Sequence, residues 1–167
     1  VLEQVRTLAA NYREIVLTGI NLGRWGRERG FQPEVRMRLS DLLRRILNET
    51  DASRLRISSI EPMDLSDDLL DLMAAEPRIA KQVHAPLQSG SDAVLKRMKR
   101  RYRVRHYEDR IRRAFALMPE AAYGADVMTG FPGETEEEFR ETYDFIERMP
   151  FTYLHVFTYS ERPGTPA

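Results

Sequence analysis

Four residues of this chain are of types that move protons or hold polar ligands, and only folding can bring them together: His84, Gln88, Asp126 and His155. Imidazole and carboxylate groups serve as general acids and bases, and as anchors for polar substrates. Two histidines also raise the question of a metal. They lack the spacing of a local ligand motif, and the chain has no cysteine to support them, so no metal is expected on this segment. The bland alternative is a self-satisfied buried polar network, which Arg56 and Ser58 would join.

Three further stretches carry chemical promise. Asp126-Val127-Met128-Thr129-Gly130-Phe131-Pro132-Gly133-Glu134-Thr135 reads as a buried strand running into a Gly/Pro turn and then a capped helix. Thr135 with Glu138 forms a capping box, and Glu136 and Glu137 complement the first-turn dipole. Strand-to-helix turns of this kind hold ligands in α/β proteins, although an ordinary tight loop has the same look. Gln88-Ser89-Gly90-Ser91 offers hydroxyls and amides for a carboxylate or phosphate at a helix start, or simple capping by Ser91. Lys96 to Arg105 holds seven cations in ten residues. It reads as a phosphate-backbone contact with Tyr102 available for stacking, or as a solvated helix end.

The elements that must position these residues alternate along the chain. An amphipathic helix with Leu2, Val5, Leu8 and Ala9 on one face precedes a strand over Glu14–Thr18. Ser40 is expected to cap a helix built on Leu39, Leu42, Leu43, Ile46 and Leu47. Strand Leu55–Ser59 follows, then a helix capped by Ser66 and ended by Pro77. Gln82–Leu87 is the third strand, ahead of a short helix from about Ser91 to Met98. A longer helix carries Tyr107, Ile111, Ala114, Phe115 and Met118 on one side. Asp126–Thr129 and Tyr153–Tyr159 are the last two strands.

Such alternation implies right-handed βαβ crossovers and a parallel sheet. Side chains alternate across a strand, so His84, Pro86 and Gln88 oppose Val83, Ala85 and Leu87. Asp126 and Met128 oppose Val127 and Thr129, while His155, Phe157 and Tyr159 oppose Leu154, Val156 and Thr158. One apolar and one polar face per strand argues against a doubly wound sheet, which is covered on both sides. A partial barrel with a polar, ligand-accepting lumen is the expected α/β fold.

Composition adds limits. The 167 residues suffice for one domain with a core, and 26 basic residues balance 26 acidic ones. Bulk charge therefore points to no nucleic-acid or membrane partner. No apolar run is long enough to span a bilayer, and no signal-peptide pattern opens the chain. Starting at Val1 inside a helix and stopping in Pro163-Gly164-Thr165-Pro166, the chain is expected to be an excised piece of a longer protein, residues 1–167 being one core segment.

Taken together, five motifs resemble the tRNA methylthiotransferases, a branch of the radical S-adenosylmethionine (SAM) enzymes. They are Leu17-Thr18-Gly19-Ile20-Asn21-Leu22-Gly23, Arg56-Ile57-Ser58-Ser59-Ile60-Glu61-Pro62, and His84 to Ser91 with Leu95, Met98, Arg100 and Tyr102. Asp126 to Phe139 and Phe157 to Ala167 complete the set. The first two look most like the subgroup acting on N6-threonylcarbamoyladenosine beside the tRNA anticodon. Sister branches acting on isopentenyladenosine or on a ribosomal protein share most of the rest.

The resemblance implies a six-stranded partial (β/α) barrel of the radical SAM type, of which this chain would hold strands two to six. It implies a cytoplasmic enzyme in which a 4Fe–4S cluster cleaves SAM, adenine C2 loses a hydrogen, and a sulfur from a second 4Fe–4S cluster is inserted and methylated. The partner would be the tRNA anticodon stem-loop, with Arg97, Lys99, Arg101 and Arg103 as contacts. Thr18, Gly19 and Asn21 would meet the methionine amino group of SAM. Ser59, Glu61 and Gln88 would surround ribose and methionine, and Arg100 would pair with the methionine carboxylate. Backbone around Asp126–Gly130 and Phe157–Tyr159 would pack on adenine.

This chain departs from the family in having none of the cluster-binding cysteines, and such clusters need thiolates. By itself it is expected to bind no cluster and to be inactive. The auxiliary-cluster and C-terminal RNA-binding domains that the resemblance implies are expected to lie outside this segment. A cluster-free barrel module that binds RNA through Lys96–Arg105 is the competing reading. Glu14–Thr18, without the family's first strand beside it, is expected to be an exposed edge that promotes self-association.

Overall fold

The computed structural model describes residues 1–26 and 37–165. Helices and strands alternate as expected: α1 (Leu2–Ala9), β1 (Ile15–Leu17), α2 (Leu39–Glu49), β2 (Leu55–Ile57), α3 (Asp67–Ala75), β3 (Gln82–His84), α4 (Asp92–Arg97), α5 (Val104–Leu117), β4 (Ala122–Thr129), α6 (Glu136–Glu147) and β5 (Tyr153–Thr158). All the strand pairs among the described residues are parallel. β1 pairs with β2, and β3, β4 and β5 form a second ladder in that order. The two ladders meet through single contacts. Leu55 bridges Ile79, and the Ile60 N–H donates to the His84 carbonyl at 3.0 Å. The result is an arc of neighbouring strands with helices on its convex side, as in an open barrel.

Burial follows the expected alternation. Val83, Ala85, Leu87, Ala125 and Val127 are buried against the helices, whereas His84, Gln88, Asp126 and Met128 on the other face are only partly covered. β5 departs from the pattern. Val156, expected to be covered, is 59% exposed on this edge strand.

Helix starts depend on which side chain reaches an orphan N–H. Thr135 and Glu138 form the expected capping box of α6: the Glu138 N–H donates to Thr135 Oγ1 at 3.2 Å, and the Thr135 N–H to Glu138 Oε2 at 2.9 Å. Ser66 accepts from the Leu69 N–H at 3.3 Å and caps α3 as expected. Two expected caps are replaced. α2 begins one residue before Ser40, which is buried within the helix, and Asp41 accepts from the Arg38 N–H at 2.8 Å instead. The Ser91 hydroxyl makes no cap to α4. Phe115 is the other departure: it is 41% exposed and lies edge-on to Tyr123 while Tyr107, Ile111 and Ala114 enter the core.

Candidate functional site

Along the concave face the structure assembles a continuous polar chain. Asp126 Oδ1 lies 3.0 Å from His84 Nε2 and 3.1 Å from His155 Nδ1. The other nitrogen of His84 is 3.0 Å from the Tyr153 hydroxyl, which accepts from Gln82 Nε2 at 2.7 Å. Gln82 also accepts from Arg56, whose fork grips both oxygens of Glu14 at 2.9 Å. The hydrogen bond from Arg56, with its charge, holds the Glu14 carboxyl below its usual range. Three of the four lumen residues named from sequence, His84, Asp126 and His155, thus meet, and Arg56 joins them.

Sequence reasoning passed over Tyr153, Gln82, Glu14 and Gly124. A Cβ on Gly124 would lie 2.1 Å from Tyr153 Cζ, so the glycine is what lets this ring cross the lumen. The signal was available: a tyrosine on the polar face of β5 pairs in register with a glycine on β4.

At the C-terminal ends of the strands, three adjoining clefts hold most of the positions expected to bind a cofactor. A cleft of about 680 Å³ is lined by Thr18, Gly19 and Asn21. Asn21 is shared with a cleft of about 300 Å³ whose walls include Glu61 and Arg100. Arg100 is shared in turn with a cleft of about 490 Å³ lined by Gln88, Met98, Met128 and Phe131. Arg100 and Glu61 are paired at 3.4 Å. Gln88 sits at φ 65°, a left-handed conformation that costs a non-glycine residue about 1–2 kcal/mol. Two ladder bonds hold it there: its N–H donates to the Asp126 carbonyl at 2.7 Å and its carbonyl accepts from Met128 at 2.8 Å. Strain of this kind concentrates at ligand clamps.

The remaining positions stand apart. Ser59 is exposed and lines none of these clefts, and Phe157 is 54% exposed on the edge strand. Gly130 takes φ 72° in the turn after β4, with its N–H directed at Glu134. Tyr159 packs edge-on against Phe131 at 5.6 Å, and its shielded hydroxyl has no partner among the described residues. Pro166 and Ala167 of the last motif lie outside the described residues.

Two expectations are overturned. The Ser89–Ser91 part of the Gln88–Ser91 loop is buried and not presented to an anion. Thr142 Oγ1 of α6 accepts from the Gly90 N–H at 3.0 Å and pairs with Ser89 Oγ at 3.0 Å, while Ser89 Oγ accepts from the Ser91 N–H at 3.1 Å. Ser89 and Ser91 are fully buried. A Cβ on Gly90 would come within 2.7 Å of the Thr142 Cα, so the loop is a packing lock for α6. Tyr102 is likewise unavailable for stacking. It is 1% exposed, its hydroxyl donates to the Leu87 carbonyl at 2.9 Å, and burial pushes its pKa far up.

The basic stretch is partly neutralised within the chain. Both terminal guanidinium nitrogens of Arg97 bond the Glu138 carboxylate, and those bonds, with the Thr135 N–H, pull the Glu138 pKa down to about 2. Arg103 reaches the Asp92 carbonyl at 3.3 Å. Lys99 and Arg101 make no ion pair among the described residues, and both line the Glu61–Arg100 cleft. Part of the charge that remains unpaired therefore sits at the rim of the candidate cofactor site.

The model of the radical SAM superfamily matches residues 1–146. The chain belongs to the radical SAM superfamily. Over its whole length it is 44% identical to the Bacillus subtilis threonylcarbamoyladenosine tRNA methylthiotransferase MtaB and 42% identical to the Acidothermus cellulolyticus tRNA-2-methylthio-N(6)-dimethylallyladenosine synthase. It spans 36% and 33% of those proteins, about a third of their length. Among solved structures, the radical SAM enzyme coproporphyrinogen III oxidase (HemN) of Escherichia coli superimposes with a TM-score of 0.69 at 18% identity. The match covers 97% of this chain and 36% of that one. At that identity the match speaks for the radical SAM fold alone.

The residues present fit SAM and do not fit a cluster. A mixed wall of Met98, Met128 and Phe131, beside Gln88 and the Glu61–Arg100 pair, suits a ligand that is apolar at one end and zwitterionic at the other. With no cysteine, the chain supplies none of the thiolates a four-iron cluster requires.

Proposed function

We propose that this chain is the SAM-facing wall of a radical SAM tRNA methylthiotransferase, which places a methylthio group on C2 of a modified adenosine beside the anticodon. The observation that carries the proposal is chain-long similarity to two enzymes with such names, together with the convergence of Thr18, Gly19, Asn21, Glu61, Gln88 and Arg100 on adjoining clefts. Bound beside a reducing cluster, SAM supplies one-electron, hydrogen-abstracting chemistry. This chain's residues do the positioning. Arg100 holds the methionine carboxylate, Glu61 keeps the guanidinium oriented, and Asn21 with the Thr18–Gly19 turn receives the amino group. Met128, Phe131 and Tyr159 cover the adenine and exclude water. Lys99 and Arg101 at the rim receive the phosphates of the tRNA anticodon stem-loop. N6-threonylcarbamoyladenosine is the preferred substrate, since the motifs after β1 and β2 look most like that subgroup. The full-length enzyme works in the cytoplasm, and its cluster thiolates come from outside these residues.

The test uses the full-length protein, reconstituted without oxygen, with SAM and tRNA. Formation of 5′-deoxyadenosine and a methylthio mass increment on threonylcarbamoyladenosine are expected. The increment appearing on isopentenyladenosine would move the enzyme to the sister branch, and modification of a ribosomal protein to the third. Removing Arg100 takes away a charged hydrogen bond of about 1.5–3 kcal/mol, so R100A should weaken SAM binding about 10- to 100-fold. A fully loaded cluster that never cleaves SAM would overturn the proposal and leave RNA binding as the reading. The 167-residue chain alone is expected to form no 5′-deoxyadenosine.

A further inference from the structure

We propose that His84, Asp126 and His155 form a binding site for a divalent transition-metal cation, of the class represented by Zn²⁺ and Co²⁺. The site lies beneath the clefts and uses none of the residues assigned to SAM contact through their side chains.

One ligand atom from each residue lies within 4.8 Å of the others. A tetrahedral ion with bonds of about 2.0–2.1 Å sets its ligands roughly 3.3 Å apart. The Asp126 oxygen is already 3.0 Å and 3.1 Å from the two imidazole nitrogens, so contraction of the His84–His155 gap is the main adjustment needed. The three residues stand on neighbouring parallel strands, with Asp126 directly opposite His155 in the ladder, so the backbone fixes their spacing. Their sequence separations are long, which is why no local ligand motif marks them.

The surroundings are those of a ligand set. Metal-binding histidines usually anchor the far ring nitrogen on a second group, which fixes the tautomer. His84 Nδ1 is anchored on the Tyr153 hydroxyl at 3.0 Å, and Tyr153 is held by Gln82. With Nδ1–H donated to that hydroxyl, His84 Nε2 presents its lone pair to the cluster. The His84 side chain is 11% exposed and that of Asp126 24%, while the 55% exposed His155 leaves an entry path and room for water as a fourth ligand. Two imidazoles and one carboxylate favour Zn²⁺, Co²⁺, Ni²⁺ or Fe²⁺ over the all-oxygen cages of Ca²⁺ and Mg²⁺. The ion would tie edge strand β5 to β3 and β4.

The test is titration of the metal-free 167-residue protein with Co²⁺, read by its visible absorption, followed by displacement with Zn²⁺. The absence of cysteine makes the spectrum one of nitrogen and oxygen ligands only. One equivalent should bind, and zinc should raise the melting temperature. D126N and H155Q should each weaken binding at least 10-fold and abolish the thermal shift, whereas H106Q, altering the one other histidine, should change neither. Lack of saturable binding by the parent protein would overturn the proposal. So would binding that survives in both D126N and H155Q, or that disappears in H106Q. His155 is mostly exposed, so H155Q retains the fold and gives a decision even if D126N does not. None of these readouts depends on methylthiotransferase activity.

Discussion

At the scale of single residues, small groups decide how the lumen is furnished. Gly124 is the clearest case, because Tyr153 occupies the space its side chain would take. Gly124→Ala should overpack this point and cost about 1–3 kcal/mol in a urea titration. Tyr153→Phe keeps the ring but drops its bonds to Gln82 and His84, an expected loss of about 1 kcal/mol with no change in packing. If G124A proved neutral while Y153F was costly, the close approach would not be the reason for the glycine. Tyr102 teaches the complementary point. A tyrosine in a basic run looks exposed in sequence, yet its ring fills the core and its hydroxyl satisfies a buried carbonyl.

Among the elements, α6 is held at its start by chemistry visible in sequence and along its length by chemistry that is not. The Thr135–Glu138 capping box is local, so it could be read from spacing. Thr135→Ala should lower stability by about 1 kcal/mol. The Thr142 contact to Ser89 and Gly90 is a tertiary bond across more than fifty residues. Thr142→Val would leave the buried Gly90 N–H without an acceptor, costing about 1–3 kcal/mol, more than the cap. Chemical denaturation of both variants checks the order, and a larger loss from T135A would contradict it. The same loop misled the sequence reading, since Gln-Ser-Gly-Ser before a helix fits an anion site as well as a helix-packing lock.

For the whole molecule, acid stability and association are the properties to measure. Hydrogen bonds from Arg44 bring the Asp68 carboxyl from 3.8 to about 2, and Arg97 with Thr135 brings that of Glu138 from 4.5 to about 2. Both values are lowered on folding, so between roughly pH 4.5 and 2 the unfolded chain binds more protons. The stabilisation is complete above that window and is lost as pH falls through it. Melting temperature should therefore decline across this range, and D68N should flatten the decline. A slope unchanged in D68N would remove Asp68 from the account. We also expect reversible self-association through β1, which pairs on one side only and leaves Val16 half exposed. Sedimentation velocity showing a strict monomer at every concentration would refute this.

What the sequence by itself determined was the alternation of strand and helix, the polar and apolar faces, two of the helix caps and the family. These depend on periodicities and short spacings that a chain carries before it folds. The tertiary structure alone decided which polar groups remain available. It consumed the Ser89–Ser91 loop in packing, buried Tyr102, tied Arg97 to Glu138, and left Lys99 and Arg101 free at the cleft rim. It also brought two histidines and an aspartate from three strands to within one ion's reach. The physical reason is common to all of these. A polar side chain's role depends on which partner burial forces upon it, and those partners lie tens of residues away, beyond the reach of any local pattern.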